Sequence, residues 1–443
     1  MILSNKADLA FYIILVYQTI KLILFIINIK AIVYKDTEHI RLGIYTYSLK
    51  GGGTERVTAL LINYLSIEKN FYIYVFSQKK KEENEYKIPE YIKRRYINEK
   101  YSSKQLRIQL KIKRIDILIY QFPHGDEIDF LNTFTKVKII IYSHFCFLTW
   151  IYFYELHFFK MLYDSYKESK YIVSLVPFEN DYIFKQWGIN SILMDNLITY
   201  EYNEVIPSDL SSKIILMIGR ASDRFKRFDL GIQSMKYISK EIKDCEMKII
   251  SNLNKLETLK KLVDNLNLHD KVKFLGYTLK PEEYFHDASL HIFPTVSEAF
   301  PMVLCETKVF GIPNILTGLD FVVMAKKGTI IIYDDNPESI AKESIKILNN
   351  YSYRKSLGKK ARNSMRKYKN EITIKKWINL IKAVYQGEEY YNILRKETKK
   401  MPIHEAENIT RTQVKLINMR EPFLKNLTIA ILLNYSNIGK IVG

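Results

Sequence analysis

The chain has 443 residues, 47% of them hydrophobic, which is enough for two ordinary domains, each with its own core. It carries 67 basic against 48 acidic side chains, a formal charge of +19, so an anionic partner is expected: a phosphorylated small molecule, an acidic membrane surface or nucleic acid. The three cysteines, Cys146, Cys245 and Cys305, form no CxxC pair and no His/Cys cluster, so neither a disulfide framework nor a structural zinc site is expected.

The chain begins with a long, mostly apolar run, Leu9–Tyr34, inside a hydrophobic N-terminal segment covering 1–38. A membrane-crossing helix needs about 20 such residues. Lys21 stands near the middle, with Gln18 and Asn28 close to the same helical face. A charge at mid-bilayer costs about 2.5–3.5 kcal/mol. The run lacks a small-residue cleavage site, which argues against a removed signal peptide. Three readings stay open: a spanning anchor, a helix lying in the membrane plane, and a helix packed on the globular body. If the run spans, Lys30, Lys35 and Arg41 keep the body on the cytoplasmic side.

From Arg41 onward, short apolar runs alternate with amphipathic stretches. "RLGIYTYS" predicts a buried strand, and the three glycines Gly51–Gly53 lead straight into a helix. That helix places Val57, Leu60, Leu61, Tyr64 and Leu65 on one face. "FYIYVFS", "DILIYQFP" and "VKIIIYSHF" predict further strands, and "YIVSLVPFENDYIFKQWG" a strand followed by a helix. The polar stretch Thr199–Lys213 is a linker. After it the alternation restarts with "KIILMIGR", "EMKIIS", "VKFLGY", "LHIFPT" and "PNILTG" as strands, separated by helical patterns. Alternation of this kind predicts parallel sheets with helices on both faces. The organisation expected is therefore an N-terminal segment 1–38, a Rossmann-like domain 39–200 and a second Rossmann-like domain 201–370. A C-terminal helix and basic tail, 371–443, complete the chain, and the stretch from Glu388 onward gives no clear element.

Two such domains face a cleft, and ligands of open α/β sheets bind beyond the carboxyl ends of the strands. The unusual motifs fall at such ends. Arg220 and Lys226 flank the loop "GRASDRFKRFD", and a guanidinium fork beside a point charge suits a diphosphate. Glu298 and Glu306 stand at E-x7-E spacing around Pro301, which opens a helix near its N1 position. Carboxylates so far apart suit two hydroxyl-bearing groups of one extended ligand. The free N–H groups of Met302 and Val303 at the helix start add donors and a positive dipole end. Ser143 and His144 end a strand of the first domain, and Asn196 reads as turn chemistry near the linker. The glycine turn is neither a Walker A loop nor GxGxxG.

In this order, a glycine-rich turn, a mid-domain histidine, G-R-x5-K and E-x7-E with "FP" inside, the chain resembles the retaining glycosyltransferases of family 4. The resemblance runs from about Arg41 to Leu380 and includes Trp377. It implies the GT-B fold and a nucleotide-sugar donor, UDP- or GDP-linked, used without a metal or other cofactor. It implies that Arg220 and Lys226 bind the diphosphate, Glu298 the sugar hydroxyls and Glu306 the ribose hydroxyls. Backbone N–H groups of Phe300, Met302 and Val303 would line the sugar, Gly52 and Gly53 would let donor and acceptor approach, and His144 would sit beside the transferred sugar. The acceptor would be a glycan or lipid-linked molecule at an anionic membrane surface, on its cytoplasmic side. Three departures stand out: Lys226 is followed by Arg227 rather than glycine, Glu298 by Ala299, and "IISNLNKLE" replaces a Gly-x-Gly loop, which leaves the base open. A sugar-nucleotide epimerase or a non-catalytic protein on the same fold would lack the paired motifs. Nucleic-acid binding is disfavoured, because the 33 tyrosines and 23 phenylalanines lie mainly in strand patterns and no nucleic-acid signature occurs.

Overall fold

The computed structural model describes residues 39–396, apart from 123–124, 145–155, 254–255, 296–297, 318–325 and 335. The hydrophobic run Leu9–Tyr34, Cys146 and the tail beyond Lys396 lie outside the described residues. Among the described residues, no helix is long and apolar enough to cross a membrane.

The apolar runs become strands buried on both faces, as parallel sheets covered by helices require. The first sheet contains β1 (Ile40–Thr46), β2 (Phe71–Ser77), β3 (Lys93–Tyr96), β4 (Ile117–Tyr120), β5 (Lys138–Tyr142), β6 (Tyr171–Ser174) and β7 (Ile192–Leu193). Its order is β3-β2-β1-β4-β5-β6-β7, and every pairing is parallel. The register sets Ile44 beside Val75 on one side and Ile119 on the other. The connecting helices are α1 (Gly53–Leu65), α2 (Ser102–Ile112), α3 (Asp126–Phe134), α4 (Leu156–Ser169) and α5 (Pro177–Trp187). α1 buries Val57, Leu61, Ile62 and Leu65, with Leu60 and Tyr64 packed at the edge of the same core.

The second sheet contains β8 (Ile214–Ile218), β9 (Glu246–Ile250), β10 (Val272–Gly276), β11 (Ala288–Phe293), β12 (Asn314–Thr317) and β13 (Thr329–Ile332). Its order is β10-β9-β8-β11-β12-β13, again all parallel. The helices here are α6 (Phe228–Glu241), α7 (Glu257–Asn265), α8 (Glu282–Phe285), α9 (Met302–Val309), α10 (Pro337–Asn349) and α11 (Tyr351–Ser364). In both sheets the order reverses beside the first strand, and the crevice at such a switch point is where a doubly wound sheet holds its ligand.

The last two helices, α12 (Asn370–Gln386) and α13 (Glu388–Lys396), return to the first domain. Trp377 is fully buried there, edge-on to Tyr142 with ring centroids 4.8 Å apart. Lys138 Nζ donates to the carbonyls of Val384 and Tyr385 at 2.7 and 2.9 Å, holding the C-terminal end of α12. Such a cation at a helix C-terminus also meets the negative end of its dipole. The outgoing and returning crossings are tied together. Ile198 N donates to Asn370 Oδ1 at 2.8 Å, and Asn370 Nδ2 donates to Ile198 O at 2.9 Å. α13 occupies part of the stretch in which the sequence gives no clear element, and its Tyr391 packs on Tyr171.

Candidate active site between the two sheets

β1 ends at Thr46 and the chain turns through Ser48, whose hydroxyl accepts from Lys50 N at 3.2 Å. Gly51 takes φ +106°, a conformation that glycine adopts without strain. Gly52 is extended and caps α1. A Cβ on Gly52 would lie 2.5 Å from Glu55 Oε2, so the first residue held close to this backbone is the helix's own glutamate. A Cβ on Gly53 would lie 3.4 Å from Met302 Cγ. The bare backbone thus seats the start of α9 from the opposite domain.

Pro301 is the extended N-cap of α9 and Met302 its first residue, so the helix starts one position later than the sequence pattern suggests. Ala299, Phe300, Met302 and Cys305 are buried and pack into the first domain's core, and Phe300 meets Tyr368 edge-on. Val303 is half-buried and faces the second domain's core.

Glu306, 2% exposed on α9, pairs across the interface with Arg56 of α1. Its Oε1 also accepts from Thr199 Oγ1 at 2.7 Å. Burial works against the Arg56 charge, but the Glu306 carboxylate and the Tyr86 hydroxyl together outweigh it, so the guanidinium stays charged. The other oxygen, Oε2, is buried with no hydrogen-bond partner among the described residues. A buried acceptor left in that condition costs about 1–3 kcal/mol.

Lys226 closes a short 3-10 turn beyond β8, and Glu298 follows β11. The two side chains form an ion pair, and Thr295 Oγ1 donates to the same Glu298 oxygen at 3.1 Å. Arg220, at the end of β8, is exposed. Burial raises the Glu55 carboxyl, and the nearby Arg220 charge opposes that rise from the other domain. Arg227, where the resemblance expects glycine, adopts a left-handed φ of +47° and pairs with Asp229 at 3.2 Å. At the Gly-x-Gly position of the resemblance, Ser251 Oγ instead accepts from Ala221 N at 2.9 Å, tying down the loop that carries Arg220.

His144 lies two residues past β5, with Nε2 2.5 Å from Gln121 Oε1 and its ring 4.0 Å from that of Tyr142. Burial pushes its pKa down to about 3, so the ring is neutral at ordinary pH. Tyr142 in turn donates to Asn196 Oδ1, and Asn196 Nδ2 reaches Met302 Sδ at 3.9 Å. A continuous chain of contacts therefore runs from His144 to the start of α9. Asn196 is a link between the two domains in this chain of contacts, beyond the turn chemistry its sequence position suggests. Among the described residues, no group of three or more His, Cys, Asp or Glu is placed to hold a metal.

Sequence reasoning singles out both carboxylates, the cations and the histidine, but misses Arg56, Thr199, Glu55 and Gln121. Arg56 lies within the same "GGGTER" stretch as the glycines, and an arginine on the first turn of a cleft helix was the available signal.

Two parallel-sheet α/β domains facing each other in this way form the GT-B fold. Residues 200–364, the second domain for the most part, match the family described as Glycosyl transferases group 1. An uncharacterized glycosyltransferase of Haemophilus influenzae is 26% identical over 187 residues, 40% of this chain and 53% of that protein. The matched stretch thus spans about half the length of that relative. Among solved structures, the sucrose-phosphate synthase of Thermosynechococcus elongatus superposes with a TM-score of 0.66 at 15% identity, covering 79% of this chain and all (100%) of that one. The Anabaena protein HepE, in complex with UDP and glucose, superposes with a TM-score of 0.60 at 12% identity, covering 77% of this chain and 98% of that one.

Proposed function

We propose that this protein transfers a sugar from a nucleotide-sugar donor, UDP- or GDP-linked, to a hydroxyl of a glycan or lipid-linked acceptor, with retention of anomeric configuration. The setting is synthesis of a cell-surface polysaccharide, lipopolysaccharide or glycolipid. One observation carries the reading: Lys226 and Glu298 meet at the carboxyl ends of the second sheet's strands, within the segment that matches Glycosyl transferases group 1. The UDP and glucose held by the similar Anabaena structure support the choice of donor.

In this reading Arg220 and Lys226 bind the donor diphosphate. Glu298 exchanges its lysine partner for the hydroxyls of the sugar, and Glu306 takes the ribose. Backbone N–H groups of Phe300, Met302 and Val303 line the sugar, and His144, neutral, stands beside it on the first-domain side. The bond from the anomeric carbon to the diphosphate oxygen breaks, and the acceptor oxygen bonds to that carbon on the same face. The acceptor's proton passes to the departing diphosphate. The positive charge needed on the leaving group comes from side chains rather than a metal, and preorganised charge of this kind is the largest usual term in catalysis. The net charge of +19 and the run Leu9–Tyr34 fit work on the cytoplasmic side of an anionic membrane, held peripherally or by a single N-terminal span.

The test is acceptor-dependent release of nucleoside diphosphate from UDP- and GDP-sugars, with polysaccharide and lipid-linked acceptors. Lys226→Ala and Glu298→Ala should each abolish release while leaving the melting temperature within a few degrees of wild type. Near-normal turnover in either variant contradicts the assignment.

A further inference from the structure

Glu306 presents its two oxygens to different surroundings. Oε1 is fully engaged, by Arg56 from the first domain and Thr199 from the linker. Oε2 is buried and unpartnered. Arg56 is itself fixed: it leaves the first turn of α1, three residues after Gly53, and its guanidinium lies over the Tyr86 ring at 5.1 Å. The Tyr86 hydroxyl donates back to Gly51 O at 3.2 Å, so the glycine turn, Tyr86 and Arg56 form one unit.

We infer that Arg56 is a positioning residue for nucleotide binding: by holding Oε1 of Glu306 it leaves Oε2 as the ready acceptor for a vicinal diol of the ligand. The inference rests on the proposed nucleotide-sugar reading and adds a coupling to it. The ribose site is built by both domains. Its carboxylate comes from α9, and the group that orients it comes from α1. A nucleotide that engages Oε2 therefore binds best when Arg56 and Glu306 are in contact, so donor binding favours the apposed arrangement in which Gly53 meets Met302. Replacing Arg56 leaves Oε1 short of a donor, and the carboxylate is then free to turn away from the ligand.

The experiment is a double-mutant cycle between protein and ligand on the full chain. Calorimetric Kd values are measured for UDP and for 2′,3′-dideoxy-UDP with wild type, Arg56→Gln, Arg56→Lys and Glu306→Gln, and the GDP pair is run in parallel. In wild type, loss of the diol should weaken binding by about tenfold or more. In Arg56→Gln and Glu306→Gln that ratio should fall toward one, and Arg56→Lys, which keeps the charge, should recover part of it. An unchanged diol ratio in a folded Arg56→Gln protein overturns the inference. If Arg56→Gln fails to fold, an Arg56→Lys ratio equal to that of wild type, with the same Kd for UDP, overturns it as well. A wild-type protein that binds neither UDP nor GDP contradicts the nucleotide reading itself, and the inference falls with it. A wild type that binds UDP with no diol preference contradicts the inference alone.

Discussion

Gly53 and Met302, in different domains, approach so closely that a Cβ on the glycine would stand 3.4 Å from Met302 Cγ. That is ordinary van der Waals contact, so a methyl group fits at position 53. Gly53→Ala should retain near-normal transfer. Gly53→Trp should lower it by about 100-fold or more, since displacing reacting groups by about 1 Å already costs that much. Because Arg220 and Lys226 both belong to the second domain, Gly53→Trp should weaken UDP binding no more than Arg56→Gln does. Calorimetry beside a turnover assay checks the split.

Lys226 and Glu298 are side chains only 19% and 12% exposed, paired with each other. The pair's attraction is set against the cost of taking both charges out of water, so its net contribution to stability is small. In the proposed reaction Lys226 is asked for far more, and Lys226→Ala should remove nearly all turnover, lowering kcat by at least about 100- to 1,000-fold, the cost of losing one preorganised charge-stabilising group. A steady-state assay with a parallel thermal melt separates the two effects.

His144 and His291 are buried, with pKa values pushed down to about 3 and about 4. Above the ordinary histidine pKa, near 6.5, both states of the protein hold these rings neutral, and their contribution to stability is flat. Below it the unfolded chain takes up protons that the folded chain refuses, so stability falls as pH drops from about 6.5 toward the folded values, by up to ~1.4 kcal/mol per pH unit for each ring. Melting temperature should therefore decline below pH 6.5, and His144→Gln should flatten part of that decline. A decline equally steep in the variant contradicts the placement of His144.

Arg227 adopts a left-handed backbone, φ +47°, at the position where the resemblance leads one to expect glycine. Glycine removes a conformational cost of about 1–2 kcal/mol. It also gives up the Asp229 pair, worth about 0–1 kcal/mol, and adds freedom to the unfolded chain worth about 0.4–1 kcal/mol. Arg227→Gly should leave the melting temperature within a few degrees and preserve transfer. Arg227→Val, β-branched at the same φ, should lower it clearly.

If the run Leu9–Tyr34 is the membrane anchor proposed above, the full chain should float with anionic vesicles and deleting residues 1–34 should release it. Continued flotation places the membrane contact elsewhere, in the basic tail or on the globular surface.

The alternation of apolar runs made both sheets legible, because strands such as "KIIIY" and "IILMI" are buried on both faces and carry no helical period. β3 was not legible: its residues are Lys-Arg-Arg-Tyr, and as an edge strand it owes its place to the backbone of β2 rather than to burial. The return of α12 to the first domain was hidden for a different reason. Trp377 declares a buried helix but not its partner, which is Tyr142, far away in sequence. Glu298, Glu306 and Lys226 could be found from spacing because their motifs are local. Arg56 offered only a weak signal, an arginine on the first turn of a cleft helix, since its partner is a carboxylate in the other domain and only the fold brings the two together. The glycine turn was visible at once, but its neighbour Met302 was not.

The central claim is that this cleft holds a nucleotide sugar through Lys226, and a thermal-shift screen of the full chain against UDP-, GDP- and ADP-sugars tests it most directly. A ligand at about 100 times its Kd stabilises the native state by ~2.7 kcal/mol. The account predicts that UDP- or GDP-sugars raise the melting temperature saturably in wild type and lose most of that effect in Lys226→Ala. No shift with any nucleotide sugar, or an equal shift in Lys226→Ala, would contradict it.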